Sequence, residues 1–333
     1  MSLLDSPFYQ FTSDDHLLLL GATGLFGQHL MPRLHSYLKS DCTLRLISLV
    51  TRSSEQTLSK YPFLSSINLV ENDFLQSSSI NLDRPPTHVL HMANMSASDT
   101  YNGSSQYSKY LLLLNSVEAL RKVVVPGLTK KIIFTSSGVA YGQSDSYCES
   151  DVSTIMISDP SYSLGFAKLN AEYLLSLLSL DVGASLTVCR CFSFVSPFLP
   201  CNLHYALGNF VDCAVKGKDI VIKGDGSDCR SYQHVEDAID WLLYLLVANI
   251  SVPVINIGSD LSISIKELAF LVRDLISPDI SVRILNEPAD PHNFRRTKYV
   301  PSLLTSKRLG LVNRRSLDSS ILELSHAIRQ STL

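Results

Sequence analysis

Between His16 and Arg33 the chain reads HLLLLGATGLFGQHLMPR: an apolar run, then Gly21, Gly24 and Gly27, then an amphipathic stretch. That order predicts a strand, a tight turn and a helix whose first backbone N–H groups are left to hold a dinucleotide pyrophosphate. Gly21 permits the turn, Gly24 lets the backbone approach the phosphates, and Gly27 lets the helix pack closely on the strand. The spacing is G-x-x-G-x-x-G rather than G-x-G-x-x-G, so the turn alone also suits a purely structural strand-to-helix connection.

A chain of 333 residues, 45% of them hydrophobic, has the length for one large α/β domain or two smaller ones and can bury a core. Its net charge of -3 and scattered Lys and Arg residues offer no basic field for nucleic acid, so small molecules are the expected partners. Seven cysteines without a C-x-x-C pair resemble neither a disulfide framework nor a zinc site; no metal is expected, and reduced cytoplasmic thiols are the simplest reading. No run approaches the roughly 18 consecutive apolar residues of a membrane span. The N-terminal MSLLDSPFYQFTSDD lacks the basic region and cleavage site of a signal peptide and is set outside the fold as a frayed or packed extension.

Strand-like runs at Leu17–Leu20, Thr43–Val50, Ile67–Val70, His88–Met92, Lys131–Thr135 and Ser185–Cys191 alternate with helix-like runs. Helices are expected near Gly27–Lys39, Gln106–Val125, Ser163–Leu180 and Val235–Ala248. This alternation predicts an α/β fold, a doubly wound parallel sheet of Rossmann type, with a smaller C-terminal substrate-binding lobe. The dinucleotide-binding domain is expected over 14–195 with a return near 228–260, and the lobe over 196–227 and 261–333.

At the end of the second strand an Asp or Glu accepts hydrogen bonds from the adenosine ribose, whereas an Arg meets a 2′-phosphate. Here the strand ends Thr51, Arg52, Ser53, with no acid until Glu55, which favours NADP over NAD. Asp73 and Phe74 follow the third strand, where they suit the adenine amine and face; Met92 and Ala93 end the fourth, where Ala93 lets the backbone lie close to a cofactor. Each also reads as an ordinary strand end with a polar cap.

The chain resembles the extended short-chain dehydrogenases, specifically the NAD-dependent epimerase/dehydratase group that acts on nucleotide sugars. The resemblance is carried by GATGLFG (21–27), NDF (72–74), HMA (91–93), FTSSGVAYG (134–142), AKLNAE (167–172), RCFSFVSP (190–197), IKGDGSDCRSYQHVED (222–237) and INIGS (255–259), in the family order. It implies that Thr23, Leu25 and Phe26 join the three glycines at the cofactor, that Ser137 orients the substrate, and that Lys168 holds the nicotinamide ribose. In the family that lysine also lowers the pKa of a tyrosine four residues earlier, which exchanges the proton. A phenol titrating near 10 in water needs such a cation to act at neutral pH.

Four residues before Lys168 stands Leu164, and the nearest tyrosine is Tyr162. At about 100° per residue a spacing of four leaves side chains about 40° apart, whereas six leaves them about 120° apart. Either the segment Asp159–Ala167 departs from regular helix, with Gly165 as a break, so that Tyr162 serves, or the proton-transfer group is lost; Tyr141 and Tyr147 are the other phenols near the motif.

On the substrate side the resemblance implies that Arg230 pairs with the diphosphate, that Arg295 or Arg296 supplies a second guanidinium, and that Asn209 faces the base. Ser193 stands where many members carry Asn. Dehydratases of the group carry an Asp-Glu pair after the serine, and decarboxylating members a Glu; this chain has Gly138, Val139 and Ala140. The expected activity is therefore epimerisation of a nucleotide sugar through a transient keto sugar. Keto-sugar reduction and a catalytically silent binding protein are the alternatives. Pairing of the two long helices, as in the family, implies a homodimer without membrane contact.

Overall fold

The computed structural model describes residues 7–40, 43–94, 105–144, 146–199, 201, 205–286 and 297–332. Strands run His16–Leu20 (β1), Leu46–Thr51 (β2), Asn68–Glu71 (β3), His88–His91 (β4), Lys131–Ser137 (β5), Ser185–Cys191 (β6), Phe194–Val195 (β7), Ile220–Ile222 (β8), Cys229–Arg230 (β9), Gln233–His234 (β10), Val254–Ile257 (β11), Ile263–Ser264 (β12), Val282–Ile284 (β13) and Lys298–Tyr299 (β14). The α-helices are Leu25–Leu38 (α1), Ser54–Lys60 (α2), Gln106–Val123 (α3), Ser163–Val182 (α4), Ala206–Val215 (α5), Val235–Val247 (α6), Ile265–Ile276 (α7), Leu304–Arg308 (α8) and Leu317–Thr332 (α9).

A seven-stranded sheet has the order β11-β6-β5-β4-β1-β2-β3. β1 pairs in parallel with β2 on one side and β4 on the other, with Leu20 beside both Val50 and His91. The chain winds outward in both directions from β1, and in such a sheet the ligand crevice opens beyond the carboxyl ends of the strands where the order reverses. Every residue of β1 is buried, as expected of an apolar run without alternation in a strand covered on both faces.

Two compact units are present. One comprises the described residues up to Gln143, with Val152–Cys191 and Ile239–Ile255; the other comprises Ser144–Asp151, Phe192–Ala238 and the described residues from Asn256 onward. In the first, Leu18, Leu20, Val89, Ile132 and Phe134 of the sheet pack with Leu113, Val117 and Leu120 of α3 and Ala167, Ala171 and Leu175 of α4. In the second, Leu207, Phe210 and Val211 of α5 meet Leu268, Ala269 and Val272 of α7 and Ile321 and Leu324 of α9. No helix among the described residues is long and apolar enough to cross a membrane, and no cluster of three or more His, Cys, Asp or Glu side chains among them could hold a metal ion.

The described part of the N-terminal extension, from residue 7 onward, takes the packed rather than the frayed of its two expected forms. Phe8 and Phe11 are buried; Phe8 stacks on Tyr37 at 5.1 Å and Phe11 meets His88 edge-on at 4.9 Å. Residues 43–44 serve this packing instead of the sheet, so β2 begins later than its apolar pattern suggested. The Thr43 hydroxyl donates to the Phe11 carbonyl, and the Leu44 N–H donates to the Tyr37 hydroxyl at 2.9 Å.

Asp15 closes the extension. Burial alone would raise its pKa, but donation from Lys130 at 2.8 Å and from the Thr12 N–H and hydroxyl outweighs it and holds the carboxyl at about 2, below its ordinary 3.8. A depressed carboxylate stabilises the fold above its unfolded pKa and loses that contribution as pH falls through the folded one. Between pH 3.8 and about 2 the chain therefore loses about 2 kcal/mol. Comparing acid unfolding of the native chain with that of Asp15→Asn checks this: the variant should be less stable near neutrality and lack this part of the acid dependence.

Candidate active site

Each glycine of the opening turn meets a different constraint. Gly21 has φ +77, and a Cβ there would lie 2.4 Å from the Ala93 nitrogen at the end of β4. A Cβ on Gly27 would fall 1.9 Å from the Ala22 carbonyl oxygen, so α1 approaches the turn more closely than any side chain permits. Gly24 is exposed, meets only the Gly21 carbonyl oxygen, at 3.3 Å, and is the N-cap of α1 with no side chain capping the helix. Thr23 is exposed beside it, and Leu25 and Phe26 form the half-buried first turn. A helix start without a side-chain cap, approached over an open glycine, fits a pyrophosphate.

Around it the third and fourth strand ends are tightly built. Ala93 and Met92 are buried, and Met92 N–H donates to the Leu20 carbonyl at 2.8 Å. Asp73 turns its carboxylate onto the Leu75 N–H at 3.0 Å, capping the loop after β3, while Phe74 is a core residue.

At the end of β2, Arg52 is exposed and pairs with no carboxylate among the described residues. The Thr51 and Thr57 hydroxyls share a hydrogen bond at 2.7 Å, and Ser53 caps α2 by accepting from the Gln56 N–H at 3.3 Å. Glu71, in register with Thr51, accepts the Ser54 N–H at 2.9 Å.

Lys168 and Ser137 converge on the end of β5. Lys168, 1% exposed, donates from Nζ to the Thr135 carbonyl at 2.8 Å and lies 5.0 Å from the centre of the Phe134 ring. Burial pushes its pKa down to about 8, with Cys191 and Glu172 acting in the opposite sense. Ser137, half-buried, accepts from the Val139 N–H at 3.4 Å and caps the short 3-10 turn Gly138–Tyr141. His91 lies in the same core, its Nε2 at 2.9 Å from the Ser116 hydroxyl. Burial, then the Lys168 charge, lower its pKa to about 3, so it is neutral.

Gly165 does not break the helix, as the sequence had allowed. α4 runs without interruption from Ser163 through Lys168, and Gly165 is needed because a Cβ there would lie 2.5 Å from the Val139 carbonyl oxygen. The departure from α-helix is confined to the preceding 3-10 turn Pro160–Tyr162, which leaves Tyr162 as the N-cap of α4. Among the described residues no hydrogen bond joins Tyr162 to Ser137 or Lys168, and Leu164 occupies the helical position one turn before the lysine. Tyr141 is fully buried beneath the Arg190 guanidinium at 4.2 Å, and Tyr147 packs edge-on against Phe192 and Tyr299 in the second unit. Neither is a ready proton carrier.

Reading the sequence alone assigned nothing to Glu172 and Arg190, although both lie in its motifs. Glu172 stands one helical turn after Lys168, so both reach β5: it accepts from the Ser136 hydroxyl, and from Arg190 Nε at 3.2 Å and a terminal guanidinium nitrogen at 2.7 Å. Ser137 is thus flanked by two held residues, Ser136 before it and Tyr141 after it.

In the second unit Arg230 lies on β9, its guanidinium donating to the Cys229 carbonyl at 2.9 Å and lying 5.9 Å from the centre of the Tyr299 ring. Asn209 is half-buried on α5, and the Ser193 carbonyl accepts the Gln233 N–H at 3.1 Å. Arg295 and Arg296 lie outside the described residues.

A doubly wound sheet, a glycine turn into an uncapped helix and a buried lysine bonded to the Thr135 carbonyl at a strand end are the features of the short-chain dehydrogenase class. Residues 17–258 match the NAD dependent epimerase/dehydratase family, and the chain belongs to it. Among characterised relatives, UDP-glucuronic acid decarboxylase 3 of Arabidopsis thaliana is 26% identical over 291 residues, 83% of this chain and 79% of that protein. UDP-glucuronic acid decarboxylase 1 of Xenopus tropicalis is 22% identical over 287 residues, 84% of this chain and 65% of that protein. The fold is shared with UDP-glucose 4-epimerase of Thermotoga maritima, at TM-score 0.72 and 19% identity over 96% of this chain and 100% of that one. It is shared also with UDP-glucuronic acid 4-epimerase of Bacillus cereus, solved with UDP-glucuronic acid and NAD, at TM-score 0.71 and 18% identity over 95% of this chain and 99% of that one.

Proposed function

We propose that the chain is a nucleotide-sugar epimerase that works through a transient keto sugar, with a nicotinamide dinucleotide held by the first unit and the sugar nucleotide gripped by Arg230, Asn209 and Ser193 of the second. The observation that carries this reading is the Lys168–Thr135 bond, which fixes a buried cation at the strand end that presents the Ser137 hydroxyl. Gly21, Gly24 and Gly27 would seat the pyrophosphate, and Met92 and Ala93 would back the nicotinamide half. The dinucleotide, when bound, would supply the hydride acceptor and donor that a transient keto sugar requires.

The residues do the rest. Ser137 orients the carbinol, and Tyr162 takes the hydroxyl proton and gives it back. Lys168 stabilises the phenolate as a cation, a state it keeps at neutral pH with a pKa of about 8. Decarboxylation, the activity named for the relatives above, is disfavoured because no carboxylate follows Ser137. By the family likeness the protein is a homodimer through α3 and α4, where Tyr107, Tyr173 and Leu180 are exposed.

A second reading, a binding protein without turnover, is favoured by Leu164, which leaves no phenol on the helical face of Lys168. Purified protein incubated with NAD or NADP and a panel of UDP-sugars decides between them. Epimeric product, with a rate that falls as pH rises through about 8 and Lys168 loses its proton, supports the first. Binding of both ligands without product supports the second.

A further inference from the structure

The adenosine end of the dinucleotide site carries an acid that the order of the sequence hides, and we propose that Glu71 selects NAD over NADP. The inference rests on the proposed dinucleotide site and concerns only its choice between the two nucleotides. The ribose of a dinucleotide seated on α1 reaches the carboxyl end of the neighbouring strand β2, where a carboxylate accepts from the 2′-hydroxyl. β2 supplies none, since it ends Thr51, Arg52, Ser53.

β3 does supply one. It pairs in parallel with β2 and the two end level, Thr51 beside Glu71, so the Glu71 carboxylate crosses to the loop after β2 and accepts the Ser54 N–H at 2.9 Å. Around it the Thr51 hydroxyl is committed to Thr57 and the Ser53 hydroxyl to the Gln56 N–H. Lys60 is drawn 3.4 Å from Gln28 on the first turns of α1. The donor that a 2′-phosphate would seek is therefore already occupied by a carboxylate. Arg52, exposed and paired with no described carboxylate, is the group at the end of β2 that favours the phosphate.

A 2′-phosphate brings close to two negative charges beside Glu71, whereas a 2′-hydroxyl brings a donor for it. At the short separations involved, even water-like screening makes this worth about a tenfold change in affinity. Glu71→Gln keeps an acceptor for Ser54 and removes only the charge.

Titration calorimetry with NAD and with NADP on the full chain tests the assignment. The native protein should bind NAD about tenfold or more tightly than NADP. Glu71→Gln should narrow that ratio about tenfold, chiefly by tightening NADP, and raised salt should narrow it in the native chain alone. Arg52→Ala should widen it. A native preference for NADP, or a ratio unmoved by Glu71→Gln in protein whose thermal unfolding is unchanged, overturns the role of Glu71 while leaving dinucleotide binding intact. Absence of heat with either nucleotide overturns the proposed site itself.

Discussion

Arg190→Ala will destabilise the protein by roughly 3–5 kcal/mol, the cost of leaving one partner of a buried ion pair alone. Arg190 and Glu172 are each 7% exposed. Among the described residues, truncating Arg190 leaves the Glu172 carboxylate with only the Ser136 hydroxyl as its side-chain donor, and uncovers the ring of Tyr141. Equilibrium unfolding in urea reads the effect as a lower midpoint at unchanged slope. A loss below about 1 kcal/mol would place the pair among weak surface bridges and contradict its burial. The double variant Arg190→Met, Glu172→Gln should recover much of the loss, because it removes both charges and keeps the volume. Arg190→Lys should not recover it, since an ammonium cannot make two directed bonds to the carboxylate while lying flat on Tyr141.

The same pair shows where sequence reading stops. Lys168 and Glu172 are four apart, and that spacing alone places both on one face of a helix. What the helix faces, and that an arginine from β6 closes the network, depends on pairing between strands far apart in the chain. Glu71 is a parallel case. In the chain Glu71 lies a whole strand beyond Thr51, and only the pairing of β2 with β3 sets the two level. The glycine turn is legible because its main constraint, a positive φ at Gly21, is local, although the helix begins at Leu25 rather than near Gly27 as expected. The doubly wound sheet was legible because apolar runs without alternation mark strands covered on both faces. The N-terminal extension was not, since Phe8 and Phe11 carry no periodic pattern and reveal their burial only against Tyr37 and His88.

Leu164→Tyr should raise turnover by about a hundredfold over the native chain, the lower end of what a positioned proton-transfer group contributes. α4 is regular from Ser163 onward, so a phenol at position 164 would lie one turn before Lys168 and about 40° from it around the axis. Tyr162, at the N-cap, has a backbone outside that helical repeat, and no hydrogen bond links it to the lysine. In the proposed mechanism its hydroxyl would have to act from beyond the helix end, without the lysine one turn away. Leu164 is half-buried, so the longer side chain has an exit toward solvent. Initial rates across the panel of UDP-sugars, with the native chain as reference, read the gain, with Tyr162→Phe measured beside it. A faster Leu164→Tyr together with a Tyr162→Phe that loses activity means that this site runs on a displaced phenol and accepts a better-placed one. An unchanged rate in Leu164→Tyr with dinucleotide affinity intact means that proton transfer does not limit turnover, and the weight then falls on sugar rotation or product release rather than on the phenol beside Lys168.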